Sequence, residues 1–340
     1  MNATYDALIL VSFGGPEGPD DVMPFLENVL KGRDVPRQRM LKVAEHYMAF
    51  GGVSPINENN RALISLLERE LADHDISLPI YFGNRNWHPM LADTFEQMKQ
   101  DGVSRALAIV TSGYGSYSSC RQYRENLEEA RARVGQGAPE VHKIRLFFNH
   151  PGFLESMVAC ANRAVTQIDE QRRQDCHLLF TAHSLPLSMA AGCPYTEHLE
   201  ETARLVAAEA GVSNWQLVYQ SRSGSPHQPW LEPDVCDAIR ESAERGTRDV
   251  VVIPVGFIST HMEILFDLDT EARELCEELD ITMVRADTVA QEPRFISMLR
   301  ELIEERISGK EPLAVGDLEA PPHVCAADCC PIGVSGGQPV

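Results

Sequence analysis

Residues 7–13 read ALILVSF, an apolar run too short for a membrane helix and too continuous for a strand with one wet face. Three comparable runs come later in the first half: PIYF at 79–82, ALAIV at 106–110 and IRLFF at 144–148. Helix-spaced stretches such as 62–72 separate them, and buried strands alternating with helices predict parallel βαβ units. The second half repeats this order with LLFTA at 178–182, QLVY at 216–219, VVVIPV at 250–255 and ITMV at 281–284. Even the exits match, because NHPGFLESM (149–157) and QEPRFISML (291–299) both start a helix at proline. We expect an α/β chain with two doubly wound domains, each a four-stranded parallel sheet flanked by helices. They should span 1–149 and 150–308, with 150–165 a linking helix, 293–306 packing back on the first domain, and 309–340 a cysteine-bearing extension.

A length of 340 residues suits two domains. The chain has 30 basic and 50 acidic residues, a net charge of −20, which argues against a nucleic-acid partner. The segment Lys31–Lys42 runs the other way, with five basic residues and one acid; it is either a solvated stretch or a local site for an anionic ligand. The first residues, MNATYDALILVSF, lack the features of a secretory signal, and no run approaches the ~20 apolar residues of a membrane span. A cytoplasmic location is expected, where the nine cysteines stay reduced. The trio in HVCAADCCP (323–331), Cys325, Cys329 and Cys330, then reads as metal-binding in place of a disulfide framework, and needs a fourth ligand from elsewhere.

Ligands of parallel sheets sit beyond the carboxyl ends of the strands, and two such domains imply a shared cleft. Gly14, Gly15 and Gly18 come after the first run without the spacing of a phosphate loop. Asp20 and Asp21 would occupy the helix start that a phosphate needs, so the glycines are expected to serve a tight turn and close approach to a flat ligand. His183 directly succeeds a buried run, while His261 and Glu263 succeed the corresponding third run. Glu263, Asp267 and Glu271 recur every four residues, one row along a helix. The row is either a solvated acidic face or a line of oxygen ligands leading a divalent cation toward the imidazole. Ser184 beside His183 suggests a hydrolase triad, but no G-x-S-x-G elbow accompanies it.

VSFGGPEGPDDVMPFLENV, FGGVSPINENNRAL, YFGNRNWHP, TAHSLP, GSPHQPWLEPD and VGFISTHMEILFDLD together resemble the ferrochelatase family. The wording SFGGPEG and YSSCRQY is most similar to its actinobacterial, coproporphyrin-using members. The resemblance runs in order from about Ala7 to Arg306 and implies two Rossmann-like, chelatase-like domains with a porphyrin cleft between them. It implies insertion of Fe(II), the metal substrate, into a porphyrin in haem biosynthesis without a redox cofactor. By the same resemblance, His183 is a metal ligand or pyrrole-proton acceptor, Glu263 its partner, and Asp267 and Glu271 a path for metal or protons. Ser54 and Tyr123 match porphyrin contacts, and Arg33 lies in the segment that meets propionates. Phe13 departs from members that carry a ligating tyrosine there, which leaves Tyr114, Tyr117 or water as the substitute.

A subset of the family holds a 2Fe-2S cluster, which here implies Cys160 with Cys325, Cys329 and Cys330. The tail spacing is tighter than the animal pattern, and zinc stays open. The basic segment favours coproporphyrin, with four propionates, over protoporphyrin, with two. Weak peripheral membrane contact and transfer partners in the haem route also stay open, as do two other readings: a porphyrin-binding iron sensor, and a chelatase for Co(II) or Ni(II).

Overall fold

The computed structural model describes residues 4–32, 35–223 and 227–333. Its first sheet contains β1 (Ala7–Ser12), β2 (Ile80–Asn84), β3 (Arg105–Val110) and β4 (Glu140–Lys143), in the order β2-β1-β3-β4. The second contains β5 (His177–His183), β6 (Trp215–Gln220), β7 (Asp249–Ile253) and β8 (Thr282–Arg285), in the order β6-β5-β7-β8. All neighbours pair in parallel, so the two halves share one topology. β1 is buried along its whole length, as helices on both faces require.

One expected strand is displaced. IRLFF at 144–148 is not a strand; β4 is the preceding EVHK, half-buried at the sheet edge. An edge strand needs no continuous apolar run, and the apolar residues after it instead leave the sheet to enter the core, with Phe147 and Phe148 each 1% exposed. The acidic helix also differs from expectation. Residues Ile264–Ala272 form a π-helix, with wider i→i+5 turns, which then continues as an α-helix, Arg273–Glu278.

Four helices position the cleft. Two lie in the first half, Arg37–Ala49 and Ile56–Ala72, and two begin at a proline as expected, Pro151–Val165 and Pro293–Ile307. Helix 293–307 packs against both 151–165 and 56–72, which ties the end of the second half to the first. One apolar cluster accordingly runs through both sheets, from Leu8 and Leu10 to Phe180, Phe295 and Leu302.

Three buried imidazoles make this core acid-sensitive. Burial drives His150 down to about 3. It holds His177 and His198 at about 4, the latter stacked 3.8 Å from Phe148. The unfolded chain therefore takes up protons below about pH 6.5 that the folded chain refuses, and stability falls as the pH drops. Asp267, held up to about 7, together with the raised Asp234 and Glu271, pulls the other way over part of the same window. We predict a net slope of about 1–2 kcal/mol per pH unit between pH 6.5 and 5, read from denaturant midpoints. His198→Phe, which keeps a ring on Phe148, should flatten that slope by about one proton.

Candidate active site

Strand β5 delivers His183 to the mouth of the second sheet. Its Nδ1 lies 2.6 Å from the Ser184 carbonyl, so that nitrogen carries the donated proton and Nε2 faces the cleft. Nε2 is 3.6 Å from Glu263 Oε1, and solvent reaches about a third of the ring (32%) and somewhat more of the carboxylate (42%). The other Glu263 oxygen lies 3.4 Å from His261 Nε2. At 3.6 Å the pair is an ion contact with no hydrogen bond, open on the solvent side. Burial alone would depress His183, but the facing carboxylate holds it up to about 9. Burial alone would raise Glu263, but His183 and then His261 hold it well below the usual carboxylate range.

Asp267 and Glu271 continue from Glu263 along the π-helix. Burial, then the Glu263 charge, pushes Asp267 up to about 7. Burial and Asp234 raise Glu271, while Lys42 from helix 37–49 opposes them. That helix meets the π-helix directly, with the His46 and Phe266 rings stacked at 3.6 Å. Asn59 on helix 56–72 adds a hydrogen bond, donating to the Thr260 carbonyl at 2.8 Å. The carboxylate row thus lies where the two halves touch.

On the first-half side, Phe13 comes directly after β1 and is 37% exposed. Its ring packs edge-on against Phe25, and the Arg85 guanidinium lies 5.6 Å from its centroid and 4.9 Å from that of Tyr123. Tyr123 is buried beneath Arg85, and Tyr117 donates its hydroxyl to Glu125 at 3.0 Å. Ser54 is buried against Gly15, where a Cβ would come within 2.7 Å of the serine Cβ, so this position admits only glycine without displacement. Arg33 lies outside the described residues.

Two expectations fail. Tyr114 does not line the cleft: it is 2% exposed, packs among Phe148, Phe153 and Tyr195, and donates to the Val255 carbonyl at 3.0 Å. It is a core residue that joins the halves. Cys160 does not meet the tail cysteines either; it is fully buried on helix 151–165, with Arg163 Nη2 at 3.3 Å from its sulfur. Burial pushes its thiol up to about 12. The tail docks on Cys120 and the helix just after it. Arg121 and Arg124 donate to the carbonyls of residues 326–329, Arg124 reaches to 4.0 Å from Cys329 Sγ, and Lys143 sits 3.1 Å from Cys120 Sγ. Cys330 has Cys329, Cys120, Cys193 and Cys325 as electrostatic neighbours, and Cys160 is not among them. Among the described residues, no group of three or more His, Cys, Asp or Glu side chains is drawn together to hold a metal ion. The four-cysteine set implied by the resemblance therefore does not fit this fold.

Sequence reasoning missed Arg85, His46, Ser221, Gln220 and Cys120 as members of these surroundings. Arg85, Cys120, Gln220 and Ser221 all sat in segments just beyond predicted strands, but nothing in their spacing distinguished them from their neighbours; His46 lay in no such segment.

Comparison with known proteins places the whole chain. A sequence model described as ferrochelatase matches residues 5–307. The chain belongs to the ferrochelatase family. It is 54% identical to a ferrochelatase of Rhodopirellula baltica, covering 99% of this chain and 97% of that one. It is 49% identical to a coproporphyrin III ferrochelatase of Streptomyces coelicolor, covering 96% and 93% respectively. A multi-domain Deinococcus radiodurans protein, DR2241, described as structurally similar to chelatases, shares the fold at a TM-score of 0.54 and 14% identity, over 90% of this chain and 56% of its own. The ferrochelatase fold thus accounts for the duplicated sheets. Tyr114→Phe removes one buried hydrogen bond between the halves of this ferrochelatase. It should cost about 1 kcal/mol of stability in a denaturation curve while leaving the porphyrin KM unchanged.

Proposed function

We propose that this ferrochelatase inserts Fe(II) into coproporphyrin III and releases two protons, a step of haem biosynthesis. The observation that carries this reading is the open His183–Glu263 pair, one imidazole and one carboxylate 3.6 Å apart with a solvent-facing side. Two such ligands hold a metal substrate weakly enough to give it up, whereas a resident ion takes more. The Streptomyces coelicolor relative, named as a coproporphyrin III ferrochelatase, supports the choice of porphyrin. So does the local charge: Arg85 lies against Phe13, and Arg37, Arg39 and Lys42 share one helix, on the wall where propionates would lie. Protoporphyrin IX, with half as many carboxylates, would use fewer of these cations. Arg33 and Tyr117 are proposed as further contacts of the macrocycle or its propionates, with the buried Ser54 and Tyr123 supporting the wall from behind Gly15 and Arg85.

The chemistry is dictated by the charges. The porphyrin must lose two N–H protons as iron enters. His183, held up to about 9, carries a proton of its own at rest. It can accept a pyrrole proton only after losing that one; Glu263, held well below the usual carboxylate range, stabilises the charged ring and is a poor acceptor, so Asp267 at about 7 and solvent on the open side are the acceptors proposed. The arriving Fe(II) charge favours this discharge, because a cation beside an imidazolium is repelled until the proton leaves. Phe13 offers only a ring face to the product, and with Tyr114 buried and the Tyr117 hydroxyl bound to Glu125, water is proposed as the axial ligand on that side.

Among the described residues no helix is long and apolar enough to cross a membrane. A cytoplasmic enzyme is proposed, meeting membranes or haem-route partners only at its surface.

The test is an anaerobic assay with Fe(II) and, in parallel, coproporphyrin III and protoporphyrin IX, tracking loss of free-porphyrin fluorescence. Preference for protoporphyrin would overturn the proposed substrate. His183→Ala should lower turnover about 10²- to 10⁴-fold with porphyrin binding retained. Loss of both together would make His183 a structural residue.

We extend the proposal to the tail: a 2Fe-2S centre there would use Cys120, on the cleft-side π-helical turn Tyr117–Arg121, with Cys325, Cys329 and Cys330. The expected result is that protein-bound iron and acid-labile sulfide disappear in Cys120→Ser and persist in Cys160→Ser. The reverse pattern would restore the sequence-based assignment.

A further inference from the structure

Strand β6 runs beside β5 with Gln220 paired to His183, so the register that presents the imidazole also sets the path of the chain beyond Gln220. The next residue, Ser221, sits at φ +61°, in the left-handed region that non-glycine residues rarely adopt. That conformation turns its hydroxyl back across the sheet end, where it donates a short hydrogen bond to Asp267 Oδ2. Gln220 Nε2 donates to the same oxygen at 3.2 Å and to the Glu263 carbonyl at 3.1 Å. Both donors therefore converge on one oxygen of the carboxylate. Among the described residues Oδ1 has no such donor, and it is the atom left for a ligand.

We propose that Ser221 is a positioning residue that keeps Asp267 a one-oxygen ligand, so that the carboxylate row passes Fe(II) on toward His183 and Glu263 without chelating it. A carboxylate with both oxygens free can grip a divalent cation in a bidentate manner, and a relay station that grips holds its cargo. Charge-assisted hydrogen bonds to Oδ2 compete with that second bond and fix the carboxylate rotamer. The backbone strain at Ser221 is consistent with this role, since an unstrained serine at the strand end would not be held with its hydroxyl against the π-helix. Gln220 is 1% exposed and its position is set by the sheet, so Ser221 is the adjustable member of the two donors.

The proposal rests on the reading that the row carries iron. Its test uses Ser221→Gly in the full chain, because glycine adopts the left-handed conformation without strain and loses only the hydroxyl. Fe(II) titrations with coproporphyrin III should show kcat and the Fe(II) KM both lowered, each by about tenfold, with the porphyrin KM unchanged. Inhibition by Zn(II) should set in at correspondingly lower concentration. In an Asp267→Asn background, Ser221→Gly should have no further effect, since the two act through one carboxylate. Wild-type kinetics in Ser221→Gly while Asp267→Asn is impaired would overturn the proposal and leave the row intact. A change confined to the porphyrin KM would make Ser221 a substrate contact and overturn it as well. An unimpaired Asp267→Asn enzyme would remove the row reading, and this proposal with it.

Discussion

Arg145 and Glu305 form a bidentate ion pair, with Nε and Nη2 each 2.8 Å from a carboxylate oxygen and neither side chain more than 2% exposed. Arg145 lies just past β4 of the first half, and Glu305 belongs to helix 293–307, which comes after the last strand of the second. A further donor of the same guanidinium reaches the Leu313 carbonyl at 2.7 Å, so the start of the tail is tied to the same point. Apolar burial is non-directional and would let two domains slide over one another. A buried, fully matched ion pair would not, because displacing either partner leaves an uncompensated charge at a cost of about 3–5 kcal/mol. The cleft is a gap between two such bodies, and its dimensions are only as fixed as their relative placement.

Between the two bodies, the His183–Glu263 pair is kept open by its own supports. The Ser184 carbonyl holds Nδ1, Tyr195 donates its hydroxyl to the His183 carbonyl at 3.1 Å, and His261 takes up the second Glu263 oxygen. A free imidazolium and carboxylate would close to hydrogen-bonding distance; these two rest at 3.6 Å. The attraction across that gap shows in opposed pKa shifts, with the imidazole raised and the carboxylate lowered. Such opposed shifts in neighbouring groups are the usual mark of proton-handling sites.

The sequence made the strands of the sheet centres legible because burial on both faces leaves an unbroken apolar run. The edge strands β2, β6 and β8 were still found through their short apolar runs, but β4, EVHK with Val141 as its one apolar residue, was not, and the apolar residues after it belong to the core beyond. His183 and Glu263 were readable as strand-end residues, where topology alone aims side chains at a cleft. Tyr114 was not, because a tyrosine a few residues past a strand can point in or out, and the Val255 carbonyl that captures it is remote in sequence. The cysteines failed for a related reason. Cys160 satisfies any count of thiols, but which body thiol the tail meets depends on the path of residues 309–333, and that path is set by contacts of Arg121, Arg124 and Arg145 with tail carbonyls. Backbone acceptors carry no sequence signature. The acidic row was visible as a spacing of four, yet the π-helical turn that carries it was not, because apolar spacing does not separate i→i+5 from i→i+4 bonding over so short a stretch.

The proposed reaction joins a dication to a polyanion, and the chain separates the two by sign. With a net charge of −20 it attracts cations from a distance, but at physiological ionic strength that field fades within about 8 Å, so an anionic macrocycle is not kept away once it reaches the cleft. The charges it meets there are local: Arg85 over Phe13 on one wall, and the cations of helix 37–49 at the rim. The metal meets the opposite arrangement, a carboxylate row on the π-helix with Lys42 at its outer end. The His46–Phe266 stack lies where these two surfaces meet and joins the basic helix to the acidic one. In the proposed reaction, a macrocycle seated on the first-half wall would present its nitrogens to His183 and Glu263, and the ion would arrive along the second half. The two substrates need not cross each other's path to meet at the pair.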